Sequence, residues 1–125
     1  MTSEQYDKLT DEEKRIKVAE LCGWSTLKIT LERGRKMMHE TTGQVGYAKD
    51  VLPDYINDLN AMREAELVML AQRRVFKQGW LNSEVYTNNL GRILDCSDKE
   101  DWILCVTATA AQRAKAFVLT MGGSQ

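Results

Sequence analysis

The sequence predicts an α+β domain, a small β-sheet covered by helices. Three observations predict it. Apolar residues recur at helical spacing in several separate segments. Between the first two of these lies a period-two stretch in which Leu27, Ile29 and Leu31 alternate with Lys28, Thr30 and Glu32. Strands and helices then mix without regular βαβ alternation, which favours α+β over a doubly wound sheet. The expected order is α-β-β-α-α-β-α, with helices on one or both faces of the sheet. The 125 residues hold no linker, repeat or low-complexity segment, so one domain is expected over 1–125.

Each element has a local cause. Thr10 precedes Asp11, Glu12 and Glu13, a capping box with an acidic first turn. Ile16, Ala19 and Cys22 follow at helical spacing, widened by Val18 and Leu21, and Gly23 stands at the C′ position; a helix is predicted over 11–22. The alternation over 27–32 predicts a strand. Arg33-Gly34 predicts a tight turn, with 35–40 returning as its partner. Gly43 and Gly46 suggest a loop over 41–51. Pro53 suits the first turn of a helix running to Ala71, whose apolar face is Tyr55, Ile56, Leu59, Met62, Met69 and Leu70. Asn82 or Ser83 is expected to cap a helix bearing Val85, Tyr86, Leu90, Ile93 and Leu94. Residues 95–101 read as a polar loop, Trp102 to Val106 as a buried strand, and 110–121 as a final helix stopped by Gly122 and Gly123.

Composition excludes several classes. Seventeen basic side chains against eighteen acidic ones leave no basic footprint for duplex DNA. No apolar run approaches the ~20 residues that span a bilayer. The stretch from Met1 to Thr10 is polar and lacks the apolar centre of a secretory signal, so a cytoplasmic location is expected. Cys22, Cys96 and Cys105 are odd in number and widely spaced, and His39 is the single histidine. Free thiols are the simpler reading; a zinc site needs those four residues to converge from distant segments. P-loop, nucleophile-elbow and dinucleotide motifs are absent. His39 has no Ser or Cys partner nearby in sequence and reads as a hairpin residue. Asp95, Asp98, Glu100 and Asp101 lack the register of an EF-hand. No catalytic residue, metal or cofactor is assigned.

Two polar surfaces are candidates for binding. At the start of the last helix, Thr109 and Gln112 stand in capping-box spacing. Free helix-end amides, the hydroxyls of Thr107 and Thr109 and the guanidinium of Arg113 together suit a phosphate. The plainer reading is a helix cap and nothing more. On the predicted Pro53 helix, Asp54, Asn57, Asn60 and Glu64 fall on one side around the small Ala61. The plainer reading is a solvated face, but asparagine is a poor helix former, and two on one arc point toward polar recognition. Arg63 and Glu66 face the other way, among apolar residues.

Leu52 to Glu66, LPDYINDLNAMREAE, resembles the LPDYLNDLNAMHEAE signature of small proteins common in tailed bacteriophages and prophages. Ala108 to Phe117, ATAAQRAKAF, resembles their ATAAQRAEAF signature, and Val18 to Trp24 is similar to their opening helix. These proteins are grouped as the phage ABA-sandwich domain. The resemblance spans most of the chain but is weak over 25–50 and 72–100. The present sequence departs from it at Arg63, where His is usual, and at Lys115, where Glu is usual. The resemblance implies helices on both sheet faces and a phage protein acting in the host cytoplasm. It implies no reaction.

By analogy of lifestyle with small phage proteins, the leading expectation is a non-enzymatic, homo-oligomeric protein that sequesters a nucleotide-derived signal in counter-defence. Thr107, Thr109 and Arg113 would take phosphate, while Asn57, Asn60 and Glu64 would read base or ribose. One rival is a host-protein inhibitor or takeover module without a small ligand. Another is a small metal-dependent hydrolase using Asp54 and Glu64.

Overall fold

Three helices of this protein begin on one local device. In Thr2/Gln5, Thr10/Glu13 and Thr109/Gln112, the threonine hydroxyl accepts from the third helical amide, and the Gln or Glu side chain accepts from the threonine amide. Two orphan donors are satisfied at each end, so these boundaries are set by four-residue stretches of sequence. The computed structural model describes residues 1–72, 81–94 and 107–122. Their order is α1 (Ser3–Asp7), α2 (Asp11–Leu21), β1 (Trp24–Thr30), β2 (Gly34–His39), β3 (Val45–Tyr47), α3 (Ala48–Val51), α4 (Leu59–Gln72), α5 (Asn82–Ile93) and α6 (Ala110–Met121). The fold is α+β, as expected. The predicted strand over 102–106, the loop over 95–101, Cys96, Cys105 and Gly123 lie outside the described residues.

The sheet is antiparallel in the order β1-β2-β3. Gly34 turns the first hairpin at φ +85°, a conformation that glycine adopts without strain. The register pairs Trp24 with His39 and Thr30 with Gly34, and shifts between Thr26 and Lys28. A bulge of this kind bends the strand and disrupts the outer edge. Residues 41–51 are more than the expected loop. Gly43 at φ +74° closes a second hairpin, and β3 pairs Gly46 with Met37. A side chain at Gly46 would fall on Val51 Cγ1. Its absence lets α3 fold back onto the Met37 side of the sheet. The Arg35–Glu20 ion pair places α2 on that same side. Among the described residues, α2 and α3 make the main helix contacts with the sheet.

The core centres on α6, which packs against α1, α2, α4 and α5. Phe117, Val118, Val18, Met37 and Met62 are fully buried. Thr120 is buried without cost to its hydroxyl, which donates to the Ala116 carbonyl at 2.7 Å and accepts from Asn89 at 3.1 Å. Asn82 was expected as a cap. It lies instead inside α5, 2% exposed, with its amide donating to the Met69 carbonyl near the end of α4. A tertiary bond has claimed the capping side chain.

The helix predicted from Pro53 starts six residues later. Residues 53–58 form turns in which the Asp54 carbonyl accepts from the amides of Asn57 and Asp58. The Asp58 carboxylate then accepts from the Asn60 amide at 2.9 Å and caps α4. The Arg15 guanidinium donates to the Leu52 and Pro53 carbonyls, holding this segment against α2. Local Asx bonding and one long-range arginine together outcompete the helix. No described helix is long and apolar enough to cross a membrane.

Candidate functional site

The capping box predicted at the last helix is present. Thr109 Oγ1 accepts from the Gln112 amide at 3.2 Å, and Gln112 Oε1 accepts from the Thr109 amide at 2.9 Å. Thr107 and Thr109 are exposed, while Ala108 between them is buried. The side chain of Arg113 turns back rather than outward. Its Nε donates to the Ala108 carbonyl at 3.1 Å, and Nη1 lies 3.3 and 3.4 Å from the two carboxylate oxygens of Glu66. The Tyr86 hydroxyl donates to the same carboxylate at 2.5 Å. Glu66, Tyr86 and Arg113 come from α4, α5 and α6, so one half-buried polar cluster ties three helices together. Burial raises the Tyr86 pKa well above the ordinary tyrosine value, and the bond to Glu66 adds to the shift.

This geometry bears directly on a phosphate. The one guanidinium assigned to the site is neutralised by Glu66, whose negative charge repels an anion. What remains is a capped helix end with two exposed hydroxyls, the chemistry that any threonine-capped helix shares.

The second candidate surface is also rearranged. Asp54 and Asn57 sit in the turns before α4, and Asn57 Nδ2 donates to both Asp54 oxygens at 3.2 and 3.3 Å. Asn60 and Glu64 are exposed one turn apart on α4. The structure therefore separates the four residues into two pairs. Nor does it bring them to Arg113. At ~100° per residue, Glu66 faces roughly away from Asn60 and Glu64, and it is Glu66 that meets α6. The cluster that does form, Glu66–Tyr86–Arg113, joins residues 20 and 47 apart in sequence. The apolar surroundings of Glu66 were its one signal.

The other reactive groups are occupied. His39 Nδ1 accepts from the amides of Thr41 and Thr42, each at 3.2 Å, and its ring stands edge-on to Trp24. It is a hairpin residue, as expected. Burial pushes the Cys22 thiol up to about 11, so it is protonated at neutral pH. Asp54 and Glu64 no longer share a helix, and no group of three His, Cys, Asp or Glu side chains is poised to hold a metal among the described residues.

The largest departure from expectation lies on the first hairpin. The alternation of Leu27, Ile29 and Leu31 suggested one buried strand face. Instead these side chains are 50%, 69% and 107% exposed. The bulge after Thr26 breaks the alternation, so the three side chains do not share one buried face.

No family model matches this chain, and neither curated proteins nor solved structures give a match.

Proposed function

We propose that this is a non-catalytic binding protein whose partner is another protein, engaged through the β1–β2 hairpin. The observation that carries the reading is the exposure of Leu27, Ile29 and Leu31 at the hairpin's outer end. Three large aliphatic side chains within five positions join no core among the described residues. Burying one of them in a partner contributes roughly 1.5–3 kcal/mol. Lys28, Glu32 and Arg33 surround them with charge, the pattern of an apolar centre with a polar rim. In the tailed-phage setting that the resemblance implies, such a protein is an inhibitor or takeover module acting on a host protein.

Nucleotide sequestration is the rival, weakened by the Arg113–Glu66 pair. One experiment separates the two. Wild type and Leu27→Ser/Ile29→Ser/Leu31→Ser are used as baits in bacterial lysate, and wild type is titrated calorimetrically with mono-, di- and cyclic nucleotides. The expected result is a protein retained by wild type and lost from an equally stable triple variant, with no nucleotide heat. Equal retention by the triple variant would remove the hairpin role. A nucleotide that binds wild type and is lost on Thr107→Ala would favour sequestration.

A further inference from the structure

The outer face of α4 carries a stripe of exposed leucines that the described residues do not bury. Ala61, Met62, Ala65 and Met69 turn inward and are buried. On the other side, Leu59, Arg63, Leu67 and Leu70 follow at spacings of four, four and three, which places them within an arc of about 80°. The three leucines are 53%, 52% and 48% exposed. Arg63 and Glu64 are exposed beside them and make no ion pair or hydrogen bond with any described residue. Adjacent helical residues point about 100° apart, so these two charges do not satisfy one another.

We propose that this stripe is the interface of a homodimer in which α4 packs antiparallel against α4 of a second copy. The stripe is self-complementary only in that direction. When Leu59 of one copy lies opposite Leu70 of the other, the two-fold axis repeats the contact at both ends. The same register brings Arg63 to within about two residues, or ~3 Å along the axis, of the second copy's Glu64. Two such charge pairs form, one from each arginine. A parallel arrangement sets Arg63 beside Arg63 at the centre of the stripe, where like charges oppose it. An isologous contact of this kind closes after two copies. The proposal is independent of the hairpin, which lies on a different element and remains free for its partner.

The test is charge-reversal complementation, read by sedimentation velocity and native mass spectrometry on the full chain. Wild type is expected to be dimeric. Arg63→Glu alone and Glu64→Arg alone should each weaken self-association at least tenfold, because each places like charges across the interface. Mixing the two single variants should restore dimers that contain one copy of each, since both cross-pairs are then of opposite sign. Leu67→Glu should be monomeric and should not be rescued by mixing with either charge variant. All three positions are exposed, so unchanged thermal melts will confirm that folding is intact. A monomeric wild type would overturn the proposal and leave the stripe to another partner. So would single variants that dimerise as tightly as wild type, or a mixture that stays monomeric.

Discussion

Replacing Arg113 with methionine is expected to destabilise the fold by about 2–4 kcal/mol. The figure comes from what the guanidinium holds. Its side chain and that of Glu66 are 20% and 18% exposed, so the pair is screened far less than a surface bridge. Loss of Arg113 leaves the Ala108 carbonyl without its Nε donor, and Ala108 is 3% exposed. An unsatisfied buried carbonyl costs about 1–3 kcal/mol. Loss of the charge-assisted contacts to Glu66 adds to this, at the low end because they are long, 3.3 and 3.4 Å. Methionine preserves most of the aliphatic stem, so the effect is polar rather than a cavity. The assay is urea denaturation of wild type, Arg113→Met, Glu66→Gln and the double variant, compared by midpoint at constant slope. The cycle should return a coupling of about 1–3 kcal/mol, since each single variant strands the other partner. If Arg113→Met costs less than about 0.5 kcal/mol and the cycle is additive, the guanidinium does not tie the helices. The phosphate site predicted from sequence would then regain its main group.

Other outcomes follow from single contacts. Thr109→Ala should cost about 0.5–2 kcal/mol in denaturant midpoint through loss of the cap; an unchanged midpoint would contradict the box seen at α6. Gly46→Ala should lower the thermal midpoint, because its Cβ falls on Val51 Cγ1. Adding Val51→Ala should recover part of that loss, and no recovery would place the strain elsewhere. Stability should be constant from neutral pH to about 8 and then fall as pH rises. Cys22 is raised from 9.0 to about 11, and Tyr6, Tyr55 and Tyr86 are raised above 10.0, all chiefly by burial. The unfolded chain loses these protons first, so the folded state binds more protons above pH 9 and the slope is negative. Each group contributes at most ~1.4 kcal/mol per pH unit, and urea midpoints at pH 8, 9.5 and 10.5 that do not fall would contradict the burial of these groups.

Local chemistry was legible in the sequence wherever it closes within a few residues. The capping boxes of Thr10 and Thr109, the positive-φ glycines at 23 and 34 and the bounds of α6 are all four-residue or shorter statements. Thr2 and Gln5 carry the same signal at the same spacing.

Tertiary structure decided what each side chain is for. Pro53 is a sound helix start by local rules, but Asx bonds at Asp54 and Asp58 and the reach of Arg15 move the start to Leu59. Asn82 is a sound cap, and its amide goes instead to Met69. Leu27, Ile29 and Leu31 have the periodicity of a core strand, yet each is half exposed or more. Arg113 reads as a free cation until Glu66, 47 positions away, arrives beside it. Sequence spacing determines which way a side chain leaves its own helix or strand. Whether it meets water, a carbonyl or a carboxylate depends on elements that approach from elsewhere in the chain, and no local pattern encodes that approach.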